Sequence, residues 1–221
     1  MANLMTETRE VGEFDRILMK GVGKLIIKQG SKQELTIEAE ENLMKRIRTN
    51  VINGKLMIDV GSTWEEKLSA GLDFLSKRRI IFNIMIKKLT ALEVSGACKI
   101  EAKEIKADGF NLRLTGASSA EFHDFVASRL NTSIPGAGKV VLSGEVQEQQ
   151  INLTGAGSFD GAELKSQKAK VNLTGVGSAK VWVTDELDVT ITGMGSVNYY
   201  GEPRIKQSIA LMGSIKSLGK K

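Results

Sequence analysis

Apolar and polar residues alternate along most of this chain, in short segments that lead into a glycine. Before Gly175, for example, Val171 and Leu173 are apolar, whereas Asn172 and Thr174 are polar, and the alternation resumes beyond the glycine. A period of two residues is typical of β-strands with one buried face, whereas helices repeat every 3.6 residues. The pattern therefore predicts an all-β protein.

The alternating segments recur at a nearly constant spacing of 18 to 20 residues. Seven copies are marked by Gly96, Gly116, Gly136, Gly155, Gly175, Gly193 and Gly213, and an eighth, isolated copy holds Gly21. At least two short strands and a corner within about 20 residues are typical of one turn of a β-solenoid. We therefore predict a β-solenoid with about 20 residues per turn and one continuous aliphatic interior.

The repeated glycines are interpreted as corners. A corner turns within two or three residues, and glycine adopts positive φ at little cost. The predicted structural turns are Gly21, Gly23, Gly96, Gly116, Gly136, Gly138, Gly155, Gly157, Gly175, Gly177, Gly193, Gly195 and Gly213. The residue between paired glycines is Ala, Val or Met, and its size suggests that it faces a tight interior. The inward stack is expected to contain Leu114, Ile134, Leu153, Leu173 and Ile191.

Residues 1–90 show a less regular β pattern. We predict two strands about the Gly21–Gly23 corner, a third strand within residues 33–42 and one helical turn within residues 41–47. Asn53–Gly54 predicts the two-residue turn of a hairpin, and residues 80–86 predict a buried strand. We expect this part to start and cap the stack, and to be continuous with the regular repeats of residues 91–221 in one structural domain.

Residues 61–79 interrupt the β pattern. Trp64 and three leucines fall at helical spacing with charged residues between them, which is typical of a short amphipathic helix or an ordered loop. Its apolar face either packs on the sheet or the end of the stack, or it contacts a partner through Trp64 with Arg78 or Arg79.

Composition narrows the classes of function. The chain has 221 residues, a net charge of +5 and 5% aromatic residues, and so few aromatics argue against nucleic-acid binding. Residues 1–90 carry 16 Lys/Arg against 12 Asp/Glu. The single cysteine, Cys98, excludes an internal disulfide and a zinc cluster. No apolar run is long enough for a transmembrane helix. No signal peptide is visible. Two alternatives stay open: a cytoplasmic protein, and an exported protein whose signal was removed.

The candidate chemistry is weak. Gly175 and Gly177 look like a phosphate loop. A dinucleotide-binding loop requires a third glycine and a following helix, and neither follows here. His123 with Asp124 or Asp160 lacks an activated serine. The acidic group Asp185–Asp188 is either a weak calcium ligand set or a solvated corner. We predict no catalytic residue, no cofactor and no metal.

The sequence resembles the head GIN domain family of autotransporter-adhesin-like proteins over about Val11 to Leu218. The residues that carry the resemblance are "EVGEFDRILMKGVGKLIIKQG", "NGKLMIDV", the repeated "LTGAGS" turns and the closing "GMGSVNYYGEPRI". The resemblance implies a right-handed, single-stranded parallel β-helix and a bacterial cell-envelope or extracellular location. It implies no catalytic residues, because none is established for the family.

Three functions remain open at this point. The first is a non-enzymatic adhesion or binding module for cell-surface carbohydrate or protein, the second a self-associating structural protein that forms homo-oligomers, and the third a carbohydrate-active β-helix enzyme. Four aromatics on one groove would favour sugar binding, whereas scattered aromatics would favour packing. The aromatics concerned are Trp64, Trp182, Tyr199 and Tyr200.

Overall fold

The computed structural model describes residues 4–61 and 80–221. It is nearly all β, with 75% strand and 2% helix. The strands are β1 (Leu4–Arg9), β2 (Arg16–Gln29), β3 (Glu34–Glu40), β4 (Arg48–Ile52), β5 (Lys55–Asp59), β6 (Ile81–Ile86), β7 (Ala91–Lys103), β8 (Lys106–Gly116), β9 (Ser119–Ile134), β10 (Lys139–Gly155), β11 (Ser158–Gly175), β12 (Ser178–Gly193), β13 (Ser196–Tyr200), β14 (Arg204–Ala210) and β15 (Ser214–Ser217). The helix, α1, is Glu41–Met44. The prediction of an all-β solenoid is confirmed, with about six turns about 20 residues apart.

The regular turns stack in parallel and in register. Leu153 lies beside Leu173, which in turn lies beside Ile191, and the same spacing holds along β10, β11 and β12. Neighbouring parallel strands lie about 4.8 Å apart, so each side chain sits over its equivalent in the next turn. A residue type that suits one position in a turn therefore suits the same position in the next one, which is why the sequence repeats.

The interior is a single apolar column. The five predicted inward residues, from Leu114 to Ile191, are at most 1% exposed, and burial of each such side chain contributes about 1.5–3 kcal/mol. In the middle of the stack, Phe110, Phe122 and Phe125 fill the interior, with ring centroids 5.4 to 5.8 Å apart. The core thus extends along the axis without a break.

The order of strands in the stack differs from their order in the chain. Strand β2 pairs in parallel with β7 on one side, and with β5 and β6 on the other side. The layer formed by β5 and β6 therefore lies outside the layer formed by residues 16–29, although it comes later in the sequence. Val60 and Ile80 flank the Gly21 corner, through hydrogen bonds to Lys20 and Lys24 of 3.1 and 2.9 Å.

Antiparallel strands occupy this end of the stack. Strand β3 pairs with β6, β1 pairs with β3, and β4 pairs with β5. The hairpin of β4 and β5 turns at Asn53 and Gly54, whose φ values of +51° and +72° confirm the predicted two-residue turn. The predicted third strand, helical turn and buried strand are also present as β3, α1 and β6, whereas β1 was not predicted.

Five of the glycine corners contain two glycines, and the two differ in their structural role. Gly175 has a φ of +125°, and a Cβ added there would lie 2.5 Å from the carbonyl oxygen of Gly155. Gly177 is buried, and its Cβ would lie 2.7 Å from the carbonyl oxygen of Gly157. The first glycine thus serves backbone conformation and close stacking, whereas the second leaves room for the turn below.

The residue between the two glycines faces solvent, and the expectation that it faces the interior is wrong. Val176 is 61% exposed and Met194 is 55% exposed. The last corner also differs from its sequence alignment. Gly213 follows the register of Gly195, the second glycine of its corner, because Ser196 pairs with Ser214. Leu211, with a φ of +67°, therefore stands where the other corners have their first glycine.

Candidate functional site

A second column of corners runs along the stack, separate from the glycine corners. It passes through Glu104, Asp124 and Gly144, whose φ values are +55°, +54° and +130°. The amide of Glu104 donates to the carbonyl of His123 at 2.9 Å, which ties one corner to the next. A left-handed conformation costs a residue with a side chain about 1–2 kcal/mol, and such outliers are concentrated at functional sites. The second corner column therefore marks a candidate site.

A groove of about 920 Å³ follows these corners along the axis. Three carboxylates on successive turns line it, those of Glu104, Asp124 and Glu145, together with the ammonium groups of lysines. The full lining is Gln29, Gly30, Lys87, Glu104, Lys106, Asp124, Val126, Gly144, Glu145, Lys165 and Trp182. The groove thus offers donors and acceptors of both charges along several turns, which suits a long polar ligand.

Gln29 fixes the end of the groove nearest the N-terminal strands. Its side-chain amide donates to the carbonyls of Lys87 and Lys106 at 3.0 and 3.2 Å, and its side-chain oxygen accepts from the Lys106 amide at 2.7 Å. Three hydrogen bonds from one side chain join three separate segments of chain. The Lys87 ammonium group pairs with Glu13 at 2.7 Å.

Aromatic side chains lie at the other end of the groove. Trp182 and Tyr200 are half-buried and stand in register on adjacent turns. The Lys221 ammonium group lies 5.1 Å from the centroid of the Trp182 ring and 5.3 Å from that of the Tyr200 ring, within the range of cation–π attraction. Tyr199 packs instead against the core. Trp182 therefore lines the groove, Tyr200 stands beside it on the next turn, and Tyr199 serves packing.

The structure places only some of the other candidate residues from the sequence. Trp64, Arg78 and Arg79 lie outside the described residues, so the partner contact stays a prediction. His123 is exposed, and Asp160 pairs with Lys180 at 3.6 Å.

Two residues of the acidic group Asp185–Asp188 form ion pairs with basic residues of neighbouring turns. Glu186 pairs with Lys168 at 3.7 Å and with Arg204 at 2.7 Å, and Asp188 pairs with Lys170 at 4.0 Å. Within residues 4–61 and 80–221, no group of three or more His, Cys, Asp or Glu side chains could hold a metal ion.

Cys98 lies in the wall of the interior and is 4% exposed. Burial raises the pKa of its thiol to about 12, and a backbone hydrogen bond from Gly23 offsets part of that effect. The thiol donates to the carbonyl of Gly21 at 3.4 Å. Because the thiolate is the reactive form, Cys98 is an inert packing residue at neutral pH.

The groove was not predicted from the sequence, because the glycine corners give a stronger repeat signal than the polar residues that line the groove. A signal was present, since Glu104, Asp124 and Gly144 recur 20 residues apart, as the first corners do. A period in the hydrophobic pattern fixes which positions turn. Only the folded stack shows which of the polar positions beside a corner form a continuous concave surface.

Together, the stacked turns and the axial groove define a β-solenoid with an open, polar groove along its side. The chain belongs to the family described as "Putative auto-transporter adhesin, head GIN domain", whose sequence profile matches residues 13–203.

Solved structures share the fold over nearly their whole length. A "putative adhesin" from Bacteroides fragilis NCTC 9343 aligns with a TM-score of 0.87 and 22% identity, covering 98% of this chain and 97% of that one. A "putative adhesin" from Parabacteroides distasonis ATCC 8503 aligns with a TM-score of 0.71 and 17% identity, covering 98% of both. A "putative lipid binding protein" from the same strain aligns with a TM-score of 0.66 and 23% identity, covering 98% and 97%. At these identities the likeness establishes the fold alone.

The comparison with curated proteins finds no match. Among the residues that the structure describes, no helix is long and apolar enough to cross a membrane.

Proposed function

We propose that this protein is a non-enzymatic adhesion module of the bacterial cell envelope that binds an extended carbohydrate chain along its axial groove. The observation that carries the proposal is the groove itself, which combines Trp182 at one end with carboxylates and ammonium groups on successive turns. The family and two of its solved relatives bear the name adhesin, which supports a binding role and an envelope location.

The chemistry of the groove fits a sugar polymer. The flat face of a tryptophan packs against the apolar face of a sugar ring, and charged side chains exchange hydrogen bonds with hydroxyl groups. Because the lining residues come from successive turns about 4.8 Å apart, successive units of a polymer meet a series of different side chains, which in register are Lys106, Val126, Glu145, Lys165 and Trp182. An open groove of this kind holds a chain from the side and does not require a free chain end.

The test is binding of soluble envelope polysaccharides, measured by a glycan array and then by calorimetry. Trp182→Ala is expected to weaken binding about tenfold, since stacking on an aromatic ring contributes on the order of 1 kcal/mol or more. Trp182→Phe keeps an aromatic face and is expected to retain most of the affinity. Lys139→Ala changes an exposed lysine outside the groove and is the matched control.

Other results would contradict the proposal in distinct ways. Release of new reducing ends from a bound polysaccharide would identify an enzyme. Binding that Trp182→Ala leaves unchanged, in a variant whose thermal unfolding matches that of the parent, would place the ligand elsewhere. A protein ligand that competes for the groove, with no glycan bound, would replace carbohydrate as the partner.

A further inference from the structure

The two ends of the stack are built differently. At the end formed by residues 4–59, the antiparallel strands β1, β3 and β4 and the helix α1 continue the structure beyond the parallel turns. At the other end, β14 pairs with β12 along one edge, and none of the described residues pairs along its second edge. All seven residues of β14 are exposed. A free parallel edge presents unpaired backbone donors and acceptors to another strand.

The free edge also presents apolar side chains. Ile205 and Ile209 continue the inward columns of Leu187 and Ile191, which are buried. Because no described turn covers them, Ile205 is 43% exposed and Ile209 is 39% exposed. Their exposed faces point toward the place that the next turn of a longer solenoid would occupy.

The corner beside this edge extends the apolar surface. Leu211 is 81% exposed and Met212 is 75% exposed. Met194 and Val176 continue the same exposed column along the side of the stack, at 55% and 61%. An apolar surface that extends from a strand edge on to the adjacent corner is typical of an interaction site.

Charge is concentrated at the same end. Residues 204–221 carry five Lys/Arg and no Asp/Glu, whereas residues 91–203 carry 10 Lys/Arg and 14 Asp/Glu. The regular part of the solenoid is therefore acidic along most of its length and basic at its last turn. A ligand that fits this end has negative charge.

The charges of successive turns alternate in register. One column contains Arg129, Glu148, Lys168, Glu186 and Arg204, in that order. Within it, Glu186 is 3.7 Å from Lys168 and 2.7 Å from Arg204. In such a column, opposite charges face each other directly across neighbouring strands, which stabilises the pairing. Arg204 ends the column, so the next strand would carry an acid opposite it.

The neighbouring column ends in the same way. The Lys170 ammonium group lies 4.0 Å from the Asp188 carboxylate, and Lys206 stands in register beyond Asp188. Arg204 and Lys206, two positions apart on β14, are therefore each the last residue of a column, and the residue before each of them in its column is acidic. A strand that continues the sheet is best matched when its acids are also two positions apart.

We propose that β14 is a docking edge for an extended, acidic segment of another protein, which adds one strand to the solenoid. Backbone hydrogen bonds hold the added strand, and its acidic side chains face Arg204 and Lys206, while its apolar side chains cover Ile205 and Ile209. A second copy of this chain fits less well, because pairing two β14 edges brings four basic residues together. This site is separate from the axial groove and does not depend on the carbohydrate proposal.

The test uses a fluorescein-labelled synthetic peptide in which aspartate alternates with valine, and fluorescence anisotropy as the readout. A peptide with lysine in place of aspartate, and one of the same composition in scrambled order, are the peptide controls. We expect the acidic alternating peptide to bind more tightly than either control. Arg204→Glu/Lys206→Glu is expected to weaken its binding about tenfold, because both charge pairs become repulsive.

The matched control variant is Lys103→Glu/Lys139→Glu, which changes the net charge equally at exposed positions away from the end. It is expected to leave peptide binding unchanged within about twofold. Hydrogen exchange supplies the second readout, because an added strand protects backbone amides of residues 204–210, whereas simple charge attraction does not.

Several outcomes would overturn the proposal. One is equal loss of binding in the two double variants, and another is binding without protection of residues 204–210. A dimer in light scattering that Arg204→Glu/Lys206→Glu abolishes, with no peptide binding, would assign the edge to a second copy. Binding to phosphatidylglycerol vesicles through the same two residues, again with no peptide binding, would assign it to a membrane surface.

Discussion

At the scale of single residues, glycine pairs set how closely successive turns approach. The carbonyl of Gly155 accepts from the amide of Val176 at 2.9 Å, and the carbonyl of Gly157 accepts from Ser178 at 3.2 Å. These hydrogen bonds hold one corner directly against the next one. A side chain on either glycine would occupy the space that the neighbouring backbone already fills.

Gly175→Ala is expected to lower the free energy of unfolding by about 2–4 kcal/mol, because a φ of +125° is strained for alanine and the methyl group meets the Gly155 carbonyl. Urea denaturation measures the loss. Gly109→Ala is the control, since a Cβ there has no atom within 4 Å, and its effect is expected to stay below about 1 kcal/mol. Equal effects of the two substitutions would show that corner packing is not the cause.

The residue between the glycines shows where reading the sequence went wrong. Residue size suggested an interior position for Val176. The alternation itself, counted through the corner from Leu173, places Val176 on the same side as Thr174, which is exposed. The period of two residues was thus the better guide, because the backbone keeps its alternation through the turn and an apolar side chain is not confined to the interior.

At the scale of elements, a buried polar chain joins three strands. The side-chain amide of Gln149 in β10 donates to the Ser166 hydroxyl in β11 at 2.8 Å, and that hydroxyl donates to the Trp182 carbonyl in β12 at 2.8 Å. Gln149 is 3% exposed and Ser166 is 1% exposed. A polar group buried in an apolar column lowers stability when it has no hydrogen-bond partner. Ser166 therefore stabilises both of its neighbours, whereas the Gln149 side-chain oxygen has no partner among the described residues.

Ser166→Ala is expected to destabilise the protein by about 1–3 kcal/mol, since it leaves the Gln149 amide and the Trp182 carbonyl without their partner. Adding Gln149→Leu removes one of those two unpaired groups. We therefore expect the double variant to be more stable than Ser166→Ala alone in thermal or urea unfolding. If the loss of unfolding free energy in the double variant equals the sum of the two single losses, the hydrogen bond between these side chains does not contribute to stability.

The elements that sequence reasoning found are those with strong local signals. Asn53 and Gly54 select a tight turn by their conformation, and the alternation of β3 and β6 marks one buried face. Strand β1 has no such signal, because five of its six residues are exposed. It is a strand only because β3 offers a free edge, and such a cause lies outside the local sequence.

At the scale of the whole molecule, position along the stack determines how well each turn is supported. Strands β10 and β11 have a full parallel neighbour on each side, whereas β14 and β15 lie at the end and pair on one side. In a repeat structure each turn is stabilised mainly by its nearest neighbours. The last turn therefore loses about half of the stacking contacts that a middle turn has.

We expect backbone amides of β14 and β15 to exchange with solvent much faster than those of β10 and β11, by about tenfold or more. Hydrogen exchange with mass spectrometry measures the difference. Comparable protection in the last turn and the middle turns, in the absence of any ligand, would mean that another group covers this end.

The groove and the interleaved layers could not be predicted from the repeats. Glu104 and Trp182 are 78 positions apart in the sequence, and the number of turns between them decides that they line one surface. In the same way, nothing local to β2 shows that β5 and β6 form the layer beyond it. Pairing between distant strands is set by the competition of all edges for partners, and a period in the sequence describes only neighbours one turn apart.

The position of β2 between β7 and the layer of β5 and β6, all of which come later in the sequence, restricts how such a protein can change its length. Duplication of one 20-residue unit between β7 and β12 would add a turn and leave both ends as they are. Duplication before β7 would separate β2 from one of the layers that it joins. A longer molecule of this kind can thus gain turns only within its regular part, and a groove that runs along the axis would gain one more set of lining residues with every unit added.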